Sequence, residues 1–399
     1  MRINLSCLAL LLSVLAQPAA AQRLNLKKVF AQAARQTTVL LAETDKARNP
    51  EKPALVVPRT EENGQLKLVS TPDWTSGFFA GNLWFLYQAT GDKQWLTQAR
   101  RFTQLSEPEK LNTTTHDLGF MIYCPFGNGY RLAQDAQYRE VIIQAARSLS
   151  TRFSPTAGVL KSWDHHDKNW QFPVIIDNMM NLELLFEATR LSGDSAFYCL
   201  AVTHANTTLR NHYRPDFSSY HVVDYDPQTG AVRGKMTAQG YADASAWARG
   251  QAWGLYGFTM CYRETRNPIY LQQAEHIAQF ILHHPNLPPD KVPYWDYNDP
   301  TIPNAPRDVS AAAIAASALY ELSTFSLANG TYYRQQADVM LHSLQAHYAA
   351  PLGKNHGFLL LHSTGHKPAK SEIDTPLIYA DYYYLEALLR ARDLAGAKK

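Results

Sequence analysis

The sequence predicts an all-α protein, an (α/α)6 toroid in which six outer helices surround six inner ones. Helical hairpins of similar composition recur along the chain from Trp74 onward, and about six pairs can be counted when the first and last helices are included. Repeats must bury their open faces against neighbours, and neither end of the series has a polar capping unit. Closure into a ring is therefore favoured, and an open all-helical solenoid is the alternative fold.

The first 21 residues have the pattern of a secretory signal peptide. Arg2 supplies the positive start, an apolar run covers Leu8 to Leu15, and Ala19-Ala20-Ala21 offers a cleavage site of small residues. The apolar run is too short to span a bilayer as a mature helix. We therefore expect a periplasmic protein with one domain over residues 22–399 and no membrane span.

The mature chain is expected to begin with an outer helix and an irregular arm. A helix-like run extends from Leu26 to Glu43, and the polar, proline-bearing stretch 47–65 follows it. This arm reads either as a loop or as short strands on the surface.

Each later unit repeats one pattern of two helices. The first helix is rich in small residues, leucine and aromatics and is apolar nearly all round, which is typical of a buried inner helix. The second has apolar residues at three- and four-residue spacing and a polar face, as expected of the outer layer. Gly91-Asp92, Gly193-Asp194 and Asn329-Gly330 mark turns between the two.

Composition excludes several classes of function. The net charge is +3 with no basic tract, so no nucleic-acid partner is expected. Three widely spaced cysteines follow the signal segment, Cys124, Cys199 and Cys261, and we expect them to be buried in helices rather than paired. His165-His166-Asp167 lacks metal-ligand spacing and a third clear ligand, so no metal is predicted. No phosphate loop, serine elbow or dinucleotide fingerprint occurs, and no cofactor is expected.

Parallel inner helices would open all their N-termini on one mouth of the ring, which gathers chemically active residues. Those ahead of the inner helices are Asp73, Trp74, His116, Asp117, Asp177, Asn178, Trp247, Arg249, Arg307 and Asp308, and the connecting loops add Trp163, Asp164, His165, His166, His221, Gln239, Tyr241 and Trp295. Helix N-termini and Arg249 favour an anionic ligand, and tryptophans suit sugar rings. Although a single aspartate before a helix is usually an N-cap, the joint placement indicates a site for an acidic carbohydrate.

Several long stretches resemble glycoside hydrolase family 88, the unsaturated glucuronyl hydrolases. They are DWTSGFFAGNLWFLY, HDLGFMIYCPFGNGYRL, IIDNMMNLELLFEA, QGYADASAWARGQAWGLYG, PRDVSAAAIAASALYEL and DYYYLEAL, which together extend from about residue 70 to 390. The resemblance implies the (α/α)6 fold. It also implies a substrate with a 4,5-unsaturated uronic acid at the non-reducing end of a lyase-generated oligosaccharide, released by hydration of its vinyl ether double bond.

The resemblance also assigns site residues. Asp177 matches the general acid/base and Asp117 its essential partner. The matching substrate contacts are Trp74, His116, Trp163, His221, Gln239, Arg249 and Trp253. We infer in addition that Arg249 and the helix N-termini hold the uronate carboxylate, and that the negative charge of Asp117 raises the pKa of Asp177 against the helix N-terminus. The alternatives are an unsaturated rhamnogalacturonyl hydrolase and an inactive periplasmic protein that binds acidic sugars.

Overall fold

The computed structural model describes residues 24–165 and 170–396. The predicted signal segment, His166 and Asp167 lie outside these residues. The outer helices are α1 (Leu26–Ala47), α3 (Lys93–Leu105), α5 (Ala136–Ser150), α7 (Ser195–Asn211), α9 (Pro268–His283) and α11 (Gly330–Ser343). The inner helices are α2 (Ser76–Thr90), a π-helical segment (Gly119–Gly127) continued by α4 (Asn128–Ala133), α6 (Asn178–Ser192), α8 (Ala248–Thr265), α10 (Val309–Leu322) and α12 (Ile378–Gly396).

The inner helices form a closed ring. Each packs against the next, from α2 through the π-helical segment, α6, α8 and α10 to α12, and α12 packs back against α2. Small residues permit this close approach: a Cβ at Gly81 would lie 2.4 Å from the Tyr382 ring, and one at Gly257 would lie 2.5 Å from Cβ of Met179. Closure confirms the predicted toroid over the open solenoid.

The turns within the helical pairs follow from their sequence. Gly91 and Gly193 end inner helices with φ of 73° and 78°, a left-handed conformation that glycine adopts without steric cost. Asp92 and Asp194 then cap the next outer helix, because their carboxylates accept hydrogen bonds from Gln94 N–H and Ala196 N–H. The predicted glycine–aspartate turns are confirmed.

Short antiparallel strands occupy the connections that lead into inner helices. They are β1 (Val57–Glu62) with β2 (Gln65–Val69), β3 (Phe153–Ser154) with β4 (Val159–Leu160), the sheet of β5 (Phe172–Ile175), β6 (Val222–Tyr225) and β7 (Val232–Met236), and β8 (Ser363–His366) with β9 (Ser371–Thr375). The arm left open between loop and strands contains both, since residues 48–56 form turns and irregular backbone and the β1–β2 hairpin follows. Since these connections precede inner helices, the strands gather at one mouth of the ring.

One expectation about the cysteines is wrong. Cys124 and Cys261 are buried, but Cys199 is exposed. Cys199 lies on outer helix α7, whose buried face carries Phe197 and Ala201, so its position falls on the solvent side of an amphipathic helix.

Among the described residues, no helix combines the length and apolar character needed to cross a membrane.

Candidate active site

A cavity of about 510 Å³ lies at the mouth where the inner helices begin. It is lined by Trp74, His116, Asp117, Trp163, His165, Trp170, Ile175, Asp177, Ala238, Gln239, Arg249, His366, Pro368 and Ala369. Asp177 directly precedes α6 and Arg249 is the second residue of α8. Of the residues that the resemblance assigned to the site, seven line the cavity, and His221 and Trp253 do not.

Asp177 is a buried carboxyl whose pKa is raised to about 7. Burial is the main cause, since it removes the charged form from water; Arg249 lowers the pKa, and Asp117 raises it. Asp117 thus acts in the predicted direction, but burial, which the sequence analysis did not consider, has the larger effect on the pKa. Asp177 occupies the N-cap position of α6 without a capping side-chain hydrogen bond. The carboxyl is left available for chemistry instead of being used by the helix.

His221 and Trp253 lie behind Asp177. Nδ1 of His221 accepts hydrogen bonds from Ala238 N–H and Gln239 N–H, so the neutral ring carries its proton on Nε2, 3.7 Å from Asp177 Oδ2. Trp253 is fully buried and lowers the pKa of Asp177, although its N–H makes no hydrogen bond of ordinary geometry. Both residues therefore support the carboxyl from the protein side.

Asp117 is held by its neighbours in the loop before the π-helical segment. Thr115 Oγ1 donates a 2.8 Å hydrogen bond to Asp117 Oδ2. His116 Nε2 lies 3.1 Å from Asp117 Oδ1, while His116 Nδ1 contacts the Ser162 carbonyl at 2.9 Å. Burial lowers the pKa of His116. The second carboxylate thus has a fixed orientation beside Asp177.

Asn181 connects the two helices that carry the aspartates. Its Oδ1 accepts from Phe120 N–H at 3.2 Å, and its Nδ2 donates to the Asp177 carbonyl at 3.4 Å. A Cβ at Gly119 would lie 2.6 Å from Asn181 Oδ1, so only glycine permits this contact. Gly119 of HDLGF and Asn181, the last residue of IDNMMN, are therefore in direct contact. This contact sets the relative position of Asp117 and Asp177.

The Arg249 guanidinium bonds four groups of the protein. It donates to Asp308 Oδ2 at 2.8 Å, to Gln239 Oε1 at 2.9 Å, and to the carbonyls of Thr364 and Gly365 at 2.6 and 2.5 Å. Its nitrogens are largely used within the protein, and Asp308 offsets its charge. Arg249 nevertheless lines the cavity and can attract a uronate there, so its assignment to the uronate carboxylate stays a prediction.

Two residues expected at this mouth turn away from it. Arg307 hydrogen-bonds the Val292 carbonyl and lies over the Tyr294 ring. Trp295 is buried and donates its indole N–H to Asp299. Neither lines the cavity. Their sequence position before α10 therefore did not predict where their side chains point.

Aromatic residues form one wall of the cavity, and part of it escaped sequence reasoning. The rings of Trp163 and His165 stack at 5.0 Å with 3° between their planes, and Trp170 packs 5.2 Å from Trp163. Trp170 and the hairpin residues His366, Pro368 and Ala369 were not predicted as site residues. Of these, only the hairpin could have been suspected from the sequence, because HSTGHKP is a polar histidine-bearing stretch outside the helical repeats.

Among the described residues, no group of three or more candidate ligands could hold a metal ion.

The closed ring, the protonatable Asp177, the adjacent Asp117 and the tryptophan wall define a helical glycoside hydrolase. The chain belongs to glycoside hydrolase family 88, since the family profile described as Glycosyl Hydrolase Family 88 matches residues 54–286. An unsaturated glucuronyl hydrolase of Formosa agariphila is 52% identical over 328 residues, which cover 82% of each chain. An unsaturated chondroitin disaccharide hydrolase of Streptococcus pneumoniae is 33% identical over 81% of this chain and 83% of its own.

Solved structures of similar proteins have the same fold. One, an unsaturated glucuronyl hydrolase specific for heparin, superposes with a TM-score of 0.88 at 44% identity and covers 93% of this chain and 98% of its own. Another is an aspartate-to-asparagine mutant of the Streptococcus agalactiae unsaturated glucuronyl hydrolase, complexed with dGlcA-GalNAc6S; it has a TM-score of 0.77 at 29% identity and 94% coverage of both chains.

Proposed function

We propose that the protein releases 4,5-unsaturated uronic acid from the non-reducing end of lyase-generated oligosaccharides, with Asp177 as general acid/base and Asp117 as its partner. The observation that carries this proposal is Asp177 itself: a carboxyl with a pKa of about 7 can be protonated at neutral pH and faces a cavity with tryptophan walls. The relatives of this protein that are named unsaturated glucuronyl hydrolase and unsaturated chondroitin disaccharide hydrolase support the substrate class.

The chemistry follows from the electron distribution of an enol ether. Protonated Asp177 donates its proton to C4 of the double bond, and the ring oxygen stabilises the positive charge that develops at C5. Water adds to C5 while the Asp177 carboxylate takes its proton, which restores the acid. The resulting hemiketal opens and releases the remaining sugar. Asp117, held by Thr115 and His116, keeps a negative charge near the developing cation.

A pair of solved variants supports the two aspartate roles. In the Streptococcus agalactiae enzyme, two aspartates replaced by asparagine in separate structures lie sixty residues apart in its chain, the same separation as between Asp117 and Asp177 here. Replacement of an acid by its isosteric amide is the standard way to trap a substrate complex, and one of these variants is the complex with dGlcA-GalNAc6S.

The test is a panel of unsaturated disaccharides from chondroitin and heparin, followed by ultraviolet absorbance of the conjugated double bond. We expect the absorbance to fall with at least one of them and no action on the saturated analogue. Hydrolysis of the saturated analogue would instead indicate an ordinary two-carboxylate glycosidase. Activity on unsaturated rhamnogalacturonan fragments alone would favour the rhamnogalacturonyl alternative, and tight binding without turnover would favour a binding protein.

We also propose that the protein is exported to the periplasm, where lyase products of extracellular polysaccharides would reach it. The proposal depends on the signal-like segment at residues 1–21. Cell fractionation with N-terminal sequencing of the mature protein tests it, and an intact Met1 in the cytoplasmic fraction would contradict it.

A further inference from the structure

Two parts of the cavity wall lie outside the helices. The β8–β9 hairpin carries His366, Pro368 and Ala369 to the cavity, and Trp74 lies in the turn that leads into α2. Neither part has a helical hydrogen-bond ladder to fix it. Trp74 packs against the rings of Phe78, Phe120 and Tyr379, and the hairpin has its own strand pairing. Side-chain bonds to the rest of the protein add to these contacts and fix the two parts relative to each other.

Arg59, on strand β1, bonds both parts at once. Its Nε and Nη2 lie 2.5 and 2.9 Å from the two carboxylate oxygens of Glu372 on β9, and its Nη1 lies 2.6 Å from Asp73 Oδ2. The Glu372 side chain is only 5% exposed. A bidentate guanidinium–carboxylate pair constrains direction as well as distance, which a lysine cannot do.

Each carboxylate passes this constraint to the cavity. The other oxygen of Asp73 accepts from the Thr75 N–H at 2.9 Å and from its hydroxyl at 2.6 Å, which fixes the turn that carries Trp74. Glu372 lies against Gly365, where a Cβ would be 2.4 Å from its Oε2. The hairpin is thus held by Glu372 on one side and, through the Gly365 carbonyl, by Arg249 on the other.

We infer that Arg59 is a positioning residue for the reaction: it sets the separation between Trp74 and the β8–β9 hairpin, and so the width of the cavity that receives the substrate. The inference rests on the proposed function for its substrate. Removal of Arg59 would leave Asp73 and Glu372 as unpaired carboxylates on the two wall segments, and their repulsion would add to the lost bonds.

The experiment compares Arg59→Ala and Arg59→Lys with the wild type on an unsaturated disaccharide that the wild type hydrolyses. We expect KM to rise about tenfold in Arg59→Ala with kcat within about threefold, because Arg59 does not line the cavity and bonds neither Asp117 nor Asp177. Arg59→Lys should give an intermediate KM, since one ammonium can satisfy only one carboxylate well. Arg101→Ala is the control: Arg101 pairs with Asp45 in the outer layer, and its loss should leave KM unchanged.

A second variant separates positioning from simple stabilisation. Glu372→Gln added to Arg59→Ala removes the repulsion, so KM should return partly toward the wild-type value while the melting temperature need not recover. Wild-type KM in Arg59→Ala, or in Arg59→Lys if the alanine variant does not fold, would overturn the inference. Dissociation constants from tryptophan fluorescence in the Asp177→Asn background should rise by the same factor. If the wild type binds the disaccharide without turnover, the proposed function fails, and these constants still decide the role of Arg59.

Discussion

The two mouths of the helical ring hold cavities of the same size, about 510 Å³ each, with different chemistry. The first lies at the N-terminal ends of the inner helices and contains Asp177. The second lies at their C-terminal ends; its charged lining residues are Arg131, Glu183, Glu187, Arg190, Arg263, Glu264, Glu386, Arg390 and Asp393. In each, burial raises the pKa of one carboxyl to about 7, Asp177 in the first and Glu183 in the second.

The difference lies in what surrounds the two carboxyls. Glu183 forms an ion pair with Arg263, which also holds Glu321 at 2.8 Å, and Arg390 holds Glu321 at 2.9 Å. This network ties α6, α8, α10 and α12 together. Asp177 has no ion pair with an arginine among its described contacts, and it faces tryptophans. A raised pKa therefore marks burial, and of these two carboxyls only Asp177 combines it with the open, aromatic surroundings expected of the proposed general acid.

Replacement of the two buried carboxyls by amides tests this comparison with the largest expected effect. Asp177→Asn should lower kcat/KM about a thousandfold, because the general acid is lost while the side-chain shape is kept. Circular dichroism should show the wild-type helical content. Ultraviolet absorbance with an unsaturated disaccharide measures the activity.

Glu183→Gln is the matched control at the opposite mouth. It makes the same change to a carboxyl with a similarly raised pKa, and we expect kcat/KM within about threefold of the wild type. A loss as large as that of Asp177→Asn would show that the reaction is not confined to the N-terminal mouth.

Asp117→Asn should have the next largest effect, a loss of about a hundredfold in kcat. The variant keeps the bond from Thr115 but loses the negative charge beside the developing cation. Steady-state kinetics on the same disaccharide measure it. Near-normal kcat would show that Asp117 only shapes the loop.

The pH dependence of the reaction should follow Asp177. Its acid form must be present to donate a proton, so kcat/KM should fall about tenfold per pH unit above pH 7. Glu183→Gln should keep this limb at the same pH. A limb that moves in Glu183→Gln would mean that the titration observed belongs to the second mouth.

The sequence predicted the ring and the aspartate pair because both depend on local patterns. Apolar periodicity, glycine–aspartate turns and repeat closure define the helices, and a residue directly before an inner helix lies at the mouth whatever its side chain does. This position before an inner helix was enough to place Asp117 and Asp177 at the mouth. Side-chain direction was beyond such reasoning: Arg307 and Arg249 occupy similar sequence positions, yet one turns away and the other bonds four protein groups.

Contacts between distant segments explain why the sequence analysis did not predict the other residues around the cavity. Trp170 and the β8–β9 hairpin reach the cavity from loops with no helical period, and their partners are far away in the sequence. Arg59 and Glu372 are separated by 313 residues. The balance of burial against like charge at Asp177 likewise depends on the finished packing, which no spacing along the chain reveals.

Stability as a function of pH gives the smallest expected effect and separates the two mouths once more. Unfolded aspartate has a pKa of about 4, while folded Asp177 has one of about 7. The native state therefore binds more protons between these values, and stability falls as pH rises through this window and stays lower above it. Asp177→Asn cannot ionise, so its free energy of unfolding should exceed the wild-type value by about 1–3 kcal/mol at pH 8 and match it near pH 4. Glu183→Gln should gain less, because it also loses the ion pair with Arg263. Urea denaturation at both pH values measures the difference, and an equal gain for the two variants would show that the carboxyls are held in equivalent surroundings.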